Sequence, residues 1–368
     1  MAEPIGVALL GTGFGEKVHL PALKAHHRTQ VTAIYHRDRA KAQTIADRHG
    51  IPFASDNLDA IIAHPSVQAV SISTPPAQHF PMAQAAIAAG NHVLLEKPTT
   101  LSVATAQQLY RQAIAQQVAV TLDFEFRFIP AWQYLAELLQ SGYVGKLRYV
   151  KVDWLGASRA NPTRPWNWYA QRDQGGGTLG SIGSHSFDYL HWLFGPATRL
   201  SARMSTAITQ RPDPTEHNQP KPVSSDDVCN ITLELADGTP IQVCLSAVTR
   251  QGRGHFLEIY GDQGTLVLGN PSQTDYINGF QLLGTQGDGD LVELPIPDRL
   301  AFPQVYDDGR IAPIIRVVDQ WVTAIDQGQT TVPSLREGLY SQLVMDCCWE
   351  SHDRQQWVNL PPLEKFLS

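Results

Sequence analysis

Along the first third of the chain, short apolar runs alternate with amphipathic stretches. The runs Ile5–Leu10, Val31–Tyr35, Val67–Ser73, His92–Leu95 and Val118–Leu122 read as buried strands. Between them, Asp38–His49, Phe80–Ala89 and Val103–Gln116 carry helical periodicity, the last with Ser102 placed as its N-cap. Such alternation predicts a parallel sheet wound with helices on both faces.

Beyond Pro130 the period changes. One helix, Trp132–Gln140, precedes a turn at Gly142-Tyr-Val-Gly145 and a strand at Leu147–Val152. Period-2 runs come next at Leu200–Met204, Val228–Leu235, Ile241–Ala247, Phe256–Tyr260 and Thr265–Leu268. Turn signals at Asp237-Gly238 and Asp262-Gln-Gly264 separate the last four. They predict an antiparallel sheet covered on one face by helices at 184–193 and 311–327. An open second face with apolar positions commonly pairs with another copy, so a homodimer or homotetramer through residues 200–290 is expected. The polar, proline-bearing segment Gln210–Ser225 reads as a surface loop.

The 368 residues exceed the roughly 250–300 over which one core grows, which makes two domains the expectation. Hydrophobic content of 43% against 17% charged residues describes a folded globule rather than a disordered chain. A net charge of -7 argues against nonspecific binding to nucleic acid or anionic membrane. No apolar run approaches the ~20 residues of a membrane span. A first strand beginning at Ile5 leaves no room for a signal peptide, and a cytoplasmic location is expected. Cys229, Cys244, Cys347 and Cys348 lack C-x-x-C spacing and read as reduced structural thiols. No His, Cys and carboxylate set has metal spacing, so no metal is expected.

Gly11-Thr-Gly13-Phe14-Gly15-Glu16 succeeds the first strand, where a dinucleotide fingerprint belongs. Glu16 occupies the position of the third fingerprint glycine, so the match is imperfect. Pro21 divides the adjoining segment into a turn up to Leu20 and a second helical piece. At the end of the second strand, His36 stands where an NAD site usually carries a carboxylate, and Arg37 suits a ribose phosphate. Asp38, a residue or two late, is the rival. The favoured cofactor is NADP, with NAD as the alternative.

Ligands of parallel sheets sit at the carboxyl ends of the strands. Thr74-Pro75-Pro76-Ala77-Gln78-His79 and Glu96-Lys97-Pro98 are therefore expected to border a nicotinamide. The glycine cluster Gly175-Gly-Gly177 leads into a helical stretch that sets His185 and Asp188 three apart on one face.

With these motifs the chain resembles the glucose–fructose oxidoreductase/inositol dehydrogenase family, Gfo/Idh/MocA, nearly end to end. The shared features include Gly11-Thr-Gly13, Thr74-Pro75, His79, Glu96-Lys97-Pro98, Arg127-Phe-Ile-Pro130, the Gly175–Asp188 motif, Asp227 before a strand, and Gly261-Asp-Gln-Gly264. The resemblance implies an α/β protein: a Rossmann domain at residues 1–124, then an α+β domain with an open, mainly antiparallel sheet at 125–368. It also implies nicotinamide-dependent oxidation or reduction of a sugar- or polyol-like hydroxyl or carbonyl. Carried over by position, Lys97 is the general acid/base, His185 shares the proton work, and Asp188 positions substrate.

Two departures stand out. Family dehydrogenases often place an aspartate four residues before the motif histidine; here it is Ser181. Many carry Asn two residues before the motif arginine, where this chain has Glu125. Glu125 either returns a carboxylate to the substrate site or pairs with Arg127. Trp166 either walls the substrate or packs in the core. Two other readings stay open: a cofactor-binding regulator without turnover, and a reductase of a non-sugar substrate such as a bilin.

Overall fold

A computed structural model describes residues 3–272, 275 and 277–368. The chain forms two compact units, one of Met1–Glu125, Gln304–Gln342 and Leu363–Ser368, the other of Phe126–Pro303 and Leu343–Pro362.

The first unit is built on six strands: β1 (Ile5–Leu10), β2 (Thr29–Tyr35), β3 (Phe53–Ser55), β4 (Ala69–Ile72), β5 (His92–Leu95) and β6 (Val120–Leu122). They pair in parallel in the order β3-β2-β1-β4-β5-β6. Helices α1 (Leu20–Ala25), α2 (Arg39–His49), α3 (Leu58–Ile62), α4 (His79–Ala88) and α5 (Val103–Gln116) connect them. Every residue of β1 and β4 is buried, as continuous apolar runs require of strands covered on both faces. Ser102 caps α5 by accepting the Thr105 N–H at 3.3 Å. β3 spans only three residues, too few to carry a readable period. The strand order turns outward in opposite directions from β1 and β4, leaving a crevice at their carboxyl ends.

The second unit holds α6 (Pro130–Gln140), β7 (Leu147–Leu155), α7 (Ser184–Phe194), β8 (Ala197–Ser205), β9 (Gln210–Asp213), β10 (Gln219–Pro222), β11 (Val228–Leu235), β12 (Pro240–Ser246), β13 (Gly254–Gly261), β14 (Gly264–Asn270), β15 (Gln281–Gln286) and β16 (Val292–Glu293). Helix α8 (Ile311–Gln327) then belongs to the first unit, α9 (Leu335–Arg354) runs from the first into the second, and β17 (Val358–Asn359) closes the sheet. Nine strands lie in the order β16-β15-β14-β13-β7-β12-β11-β8-β17, antiparallel except for the parallel β12–β7 pair. One face is apolar, with Val150, Val152, Ile231, Leu233, Leu257 and Ile259 buried.

Three expectations need correction. Gln210–Ser225 contains a hairpin, Gln210 facing Pro222 and Asp213 facing Gln219. A two-stranded ribbon has only edges, so it tolerates proline and polar residues that a central strand excludes. Helix α8 covers the first unit instead of the second sheet: it packs against α1 and the strands β5 and β6, and His26 meets Asp319 at 2.8 Å. Residues 304–342 and 363–368 thus cluster with the nucleotide-type unit, whereas the expected boundary gives everything after 124 to the second domain. Leu335 enters the first unit's core, and Ser334 bridges Thr121. Third, the sheet's other face is mixed: Lys151, Glu258, Gln242 and Arg199 stand among its apolar positions Phe256 and Val267. Among the described residues no helix is long and apolar enough to cross a membrane.

Helix α5 offers a direct test of what holds the first unit. Leu109→Ala, at a fully buried position on the sheet, should cost about 2–5 kcal/mol. Ser102→Ala, which removes only the cap, should cost about 1 kcal/mol, both read from urea midpoints.

Candidate active site

The glycine loop leaves β1 through Gly11, whose φ of +117° requires glycine. Around Gly13 a side chain would meet open space, which leaves the backbone approachable by a phosphate. A methyl on Gly15 would collide with the Ser73 hydroxyl, so the glycine that lets the chain pack closely on the sheet stands at 15 rather than 16. Glu16 turns away to Arg48 at 2.8 Å and His49 at 3.0 Å. The chain then winds through a π-helical turn, Gly15–His19, into α1, with Pro21 in that helix's first turn. This loop fits a dinucleotide despite its irregular motif.

At the end of β2, Asp38 is spent on capping α2: its carboxylate accepts the Lys41 N–H at 3.2 Å. His36 accepts the Asp38 N–H through Nδ1 at 3.0 Å. Arg37 is exposed, and among the described residues no carboxylate pairs with it. The loop's polar character is thus cationic.

The carboxyl ends of β4 and β5 are braced together. The buried His79 ring lies with Nδ1 2.7 Å from the Pro98 carbonyl and Nε2 2.9 Å from the Thr74 carbonyl. Burial lowers its pKa, although the two carbonyls oppose the shift. The His79 ring is therefore wedged between the Thr74-Pro75 loop and the Glu96-Lys97-Pro98 loop, donating to one of the two carbonyls. Lys97 itself is half-buried at that edge.

Behind Lys97 lies a cluster that sequence spacing did not reveal. His19, Glu96 and Asp123 come after β1, β5 and β6, and their ligand atoms lie within 4.8 Å of one another. The His19 Nε2 is 3.0 Å from Glu96 Oε1 and 3.3 Å from Asp123 Oδ2, while Nδ1 meets the Ser71 hydroxyl at 2.8 Å. The other Glu96 oxygen accepts the Lys97 backbone N–H at 3.2 Å. Burial alone would lower the His19 pKa, but Asp123 and Glu96 override it and carry it to about 9. Burial raises the Glu96 pKa, yet His19 and Lys97 bring it to about 2. Asp123 is pushed up to about 7, first by burial and then by the Glu96 charge. Glu125, equally buried, is driven well above the usual carboxylate range by burial and the Asp123 charge, with Lys97 opposing.

In the second unit, α7 presents the other candidates. Arg127 donates to both oxygens of Asp188, at 2.8 and 2.7 Å, and both residues are buried. Asp188 is thus a bidentate partner of Arg127. His185 is buried with its ring edge-on to Phe126 at 5.0 Å. Ser181, four residues earlier, lies 3.2 Å from the Tyr169 hydroxyl. Trp166 donates through Nε1 to the Pro222 carbonyl at 2.9 Å and carries the Lys221 ammonium over its ring at 3.8 Å, so it packs on the β9–β10 hairpin. The four cysteines are free thiols.

The chain matches known proteins over most of its length. Residues 5–124 match the model described as "Oxidoreductase family, NAD-binding Rossmann fold", and residues 136–360 match "Oxidoreductase family, C-terminal alpha/beta domain". An uncharacterized oxidoreductase of Synechocystis sp. is 53% identical over 98% of both chains. Levoglucosan dehydrogenase of Pseudarthrobacter phenanthrenivorans is 26% identical, covering 98% of this chain and 99% of that protein. The solved structure of levoglucosan dehydrogenase with NADH and L-sorbose shares the fold, with a TM-score of 0.86 at 24% identity over 98% of this chain and 100% of that one.

The buried cluster predicts a specific pH response. The His19 pKa is raised from 6.5, so its stabilisation is complete below pH 6.5 and lost as pH rises through about 9. His19→Gln should flatten the fall in urea midpoint between pH 6.5 and 9. His19→Ala, which strands two buried carboxylates, should cost about 3–5 kcal/mol at pH 7.

Proposed function

The chain belongs to the Gfo/Idh/MocA oxidoreductase family, and on that premise we propose that it transfers hydride between NADP(H) and a sugar- or polyol-like hydroxyl or carbonyl. The observation that carries this reading is the immobilised edge of β5. Lys97 stands there half-exposed, its backbone N–H bonded to Glu96, and the neighbouring Pro98 carbonyl is held by His79. β4 alone separates β1 from β5, so the glycine loop and the lysine loop are about 10 Å apart, two strand spacings. An extended dinucleotide crosses such a distance.

The bound nicotinamide supplies the hydride; the protein moves one proton. Lys97 donates to the reacting oxygen in reduction and accepts its proton in oxidation. Glu125, whose buried carboxyl feels the Lys97 charge, returns a carboxyl group to the substrate site. His185 hydrogen-bonds the substrate from α7, and the Arg127–Asp188 fork holds that helix in register. Gly11, Gly13, Phe14 and Gly15 cradle the pyrophosphate, while Thr74 and Pro75 border the nicotinamide. His36 and Arg37 meet the adenosine ribose, and the exposed Arg37 guanidinium selects the 2′-phosphate of NADP.

Lys97→Ala should lower kcat at least ~100-fold, with NADPH affinity by fluorescence titration little changed. Unaltered turnover removes Lys97 from the mechanism. Arg37→Gln should weaken NADPH binding about tenfold, the loss of one charge-assisted contact, and leave NADH binding as it was.

A further inference from the structure

The second unit gathers three arginines about one loop, at 159, 164 and 211. Arg159 stacks its guanidinium 3.8 Å above the Tyr169 ring. The buried Arg211 donates to the carbonyls of Arg159 and Asn161, both at 2.8 Å, which brings a second guanidinium under the same loop. Arg164, exposed, lies on that loop as well. Among the described residues, none of these three arginines has a carboxylate within ion-pair distance, whereas most other arginines here do. Burial lowers the Arg159 pKa; Tyr169 opposes this, and the charges of Arg164 and Arg211 add to it. Asp226, whose charge Tyr169 feels, is turned to the Leu179 N–H at 2.8 Å and the Cys229 thiol at 3.0 Å.

This charge adjoins the substrate motif. The Tyr169 hydroxyl lies 3.2 Å from Ser181, one helical turn before His185. Ser181 and Arg159 are both partly open to solvent, so a ligand can reach them. A neutral hydroxyl stands at position 181, and a half-buried guanidinium lies one side chain away from it.

We propose that Arg159, supported by Arg164, is an anion-binding subsite and that the substrate is a sugar-like molecule bearing a carboxylate or phosphate. The inference rests on the oxidoreductase reading for its substrate, and on the arginine cluster for its charge. Arg159 supplies a fork of donors to the anion, and Tyr169 holds the guanidinium plane from the other side. Ser181 suits such a substrate, because a carboxylate at that position would repel it.

The test compares matched ligands by calorimetry, with and without saturating NADPH. Glucose, galactose and mannose are each set against their uronate and their 6-phosphate. In at least one series an anion should bind about tenfold or more tighter than its neutral parent, the scale of one charge-assisted contact. The advantage should vanish in Arg159→Gln and shrink in Arg164→Gln, whose exposed position leaves folding untouched. The series also separates the two anions, since uronate and phosphate differ only at C6.

Neutral sugars binding as well as both anions, or no ligand binding at all, overturns the subsite. An anion preference that survives both substitutions overturns it too. Turnover of neutral sugars without anion preference would leave the oxidoreductase reading intact. Arg159-dependent uronate binding without any turnover would do the reverse.

Discussion

His19, Glu96 and Asp123 arrive from separate strand–helix crossings, and one imidazole between two carboxylates holds their loops to one another. All three are buried, so none of the charges can fall back on water. The three side chains meet only if β1, β5 and β6 end at the right heights in the sheet. Their parallel ladders supply that register, continued by the Glu96 N–H donating to the Ile72 carbonyl at 2.9 Å and the Asp123 N–H to the Leu95 carbonyl at 2.9 Å. A buried ion cluster is a poor source of net stability, but it tolerates few alternative arrangements. What it secures is position.

That position matters because Lys97 directly succeeds Glu96. The carboxylate that meets His19 with one oxygen holds the Lys97 backbone with the other. From the far side, His79 is wedged between the Pro98 carbonyl and the Thr74 loop. Glu96 and His79 thus hold the backbone on either side of the Lys97 side chain. A group that moves a proton within an ångström or so gains from such preorganisation.

The second unit uses the same device with different parts. Arg127 and Asp188 neutralise each other between α7 and the segment before α6, and Trp192 lies under the guanidinium at 5.6 Å. His255 stacks on Trp154 at 3.9 Å, and burial lowers its pKa to about 3, so it remains neutral, with Nε2 3.1 Å from the Tyr189 hydroxyl. These pairings leave the Arg159 cluster as the place where charge is gathered without an answering acid among the described residues.

The wound sheet, the glycine loop and the strand ending in Glu96-Lys97-Pro98 were legible along the chain, since periodicity and turn chemistry report local backbone geometry and burial. Strands Ile5–Leu10, His92–Leu95 and Val228–Leu235 and helix Val103–Gln116 lie where their patterns placed them. β3 and the β9–β10 hairpin lacked that signal, one by shortness and the other because a ribbon without a core shows no apolar period. Tertiary structure alone decided which charges meet. His19 stands 77 residues from Glu96, and Asp188 stands 61 from Arg127, distances across which sequence spacing carries no information. Pairing energy depends on separation in space and on exclusion of water, and both arise only once the sheet has closed over its helices.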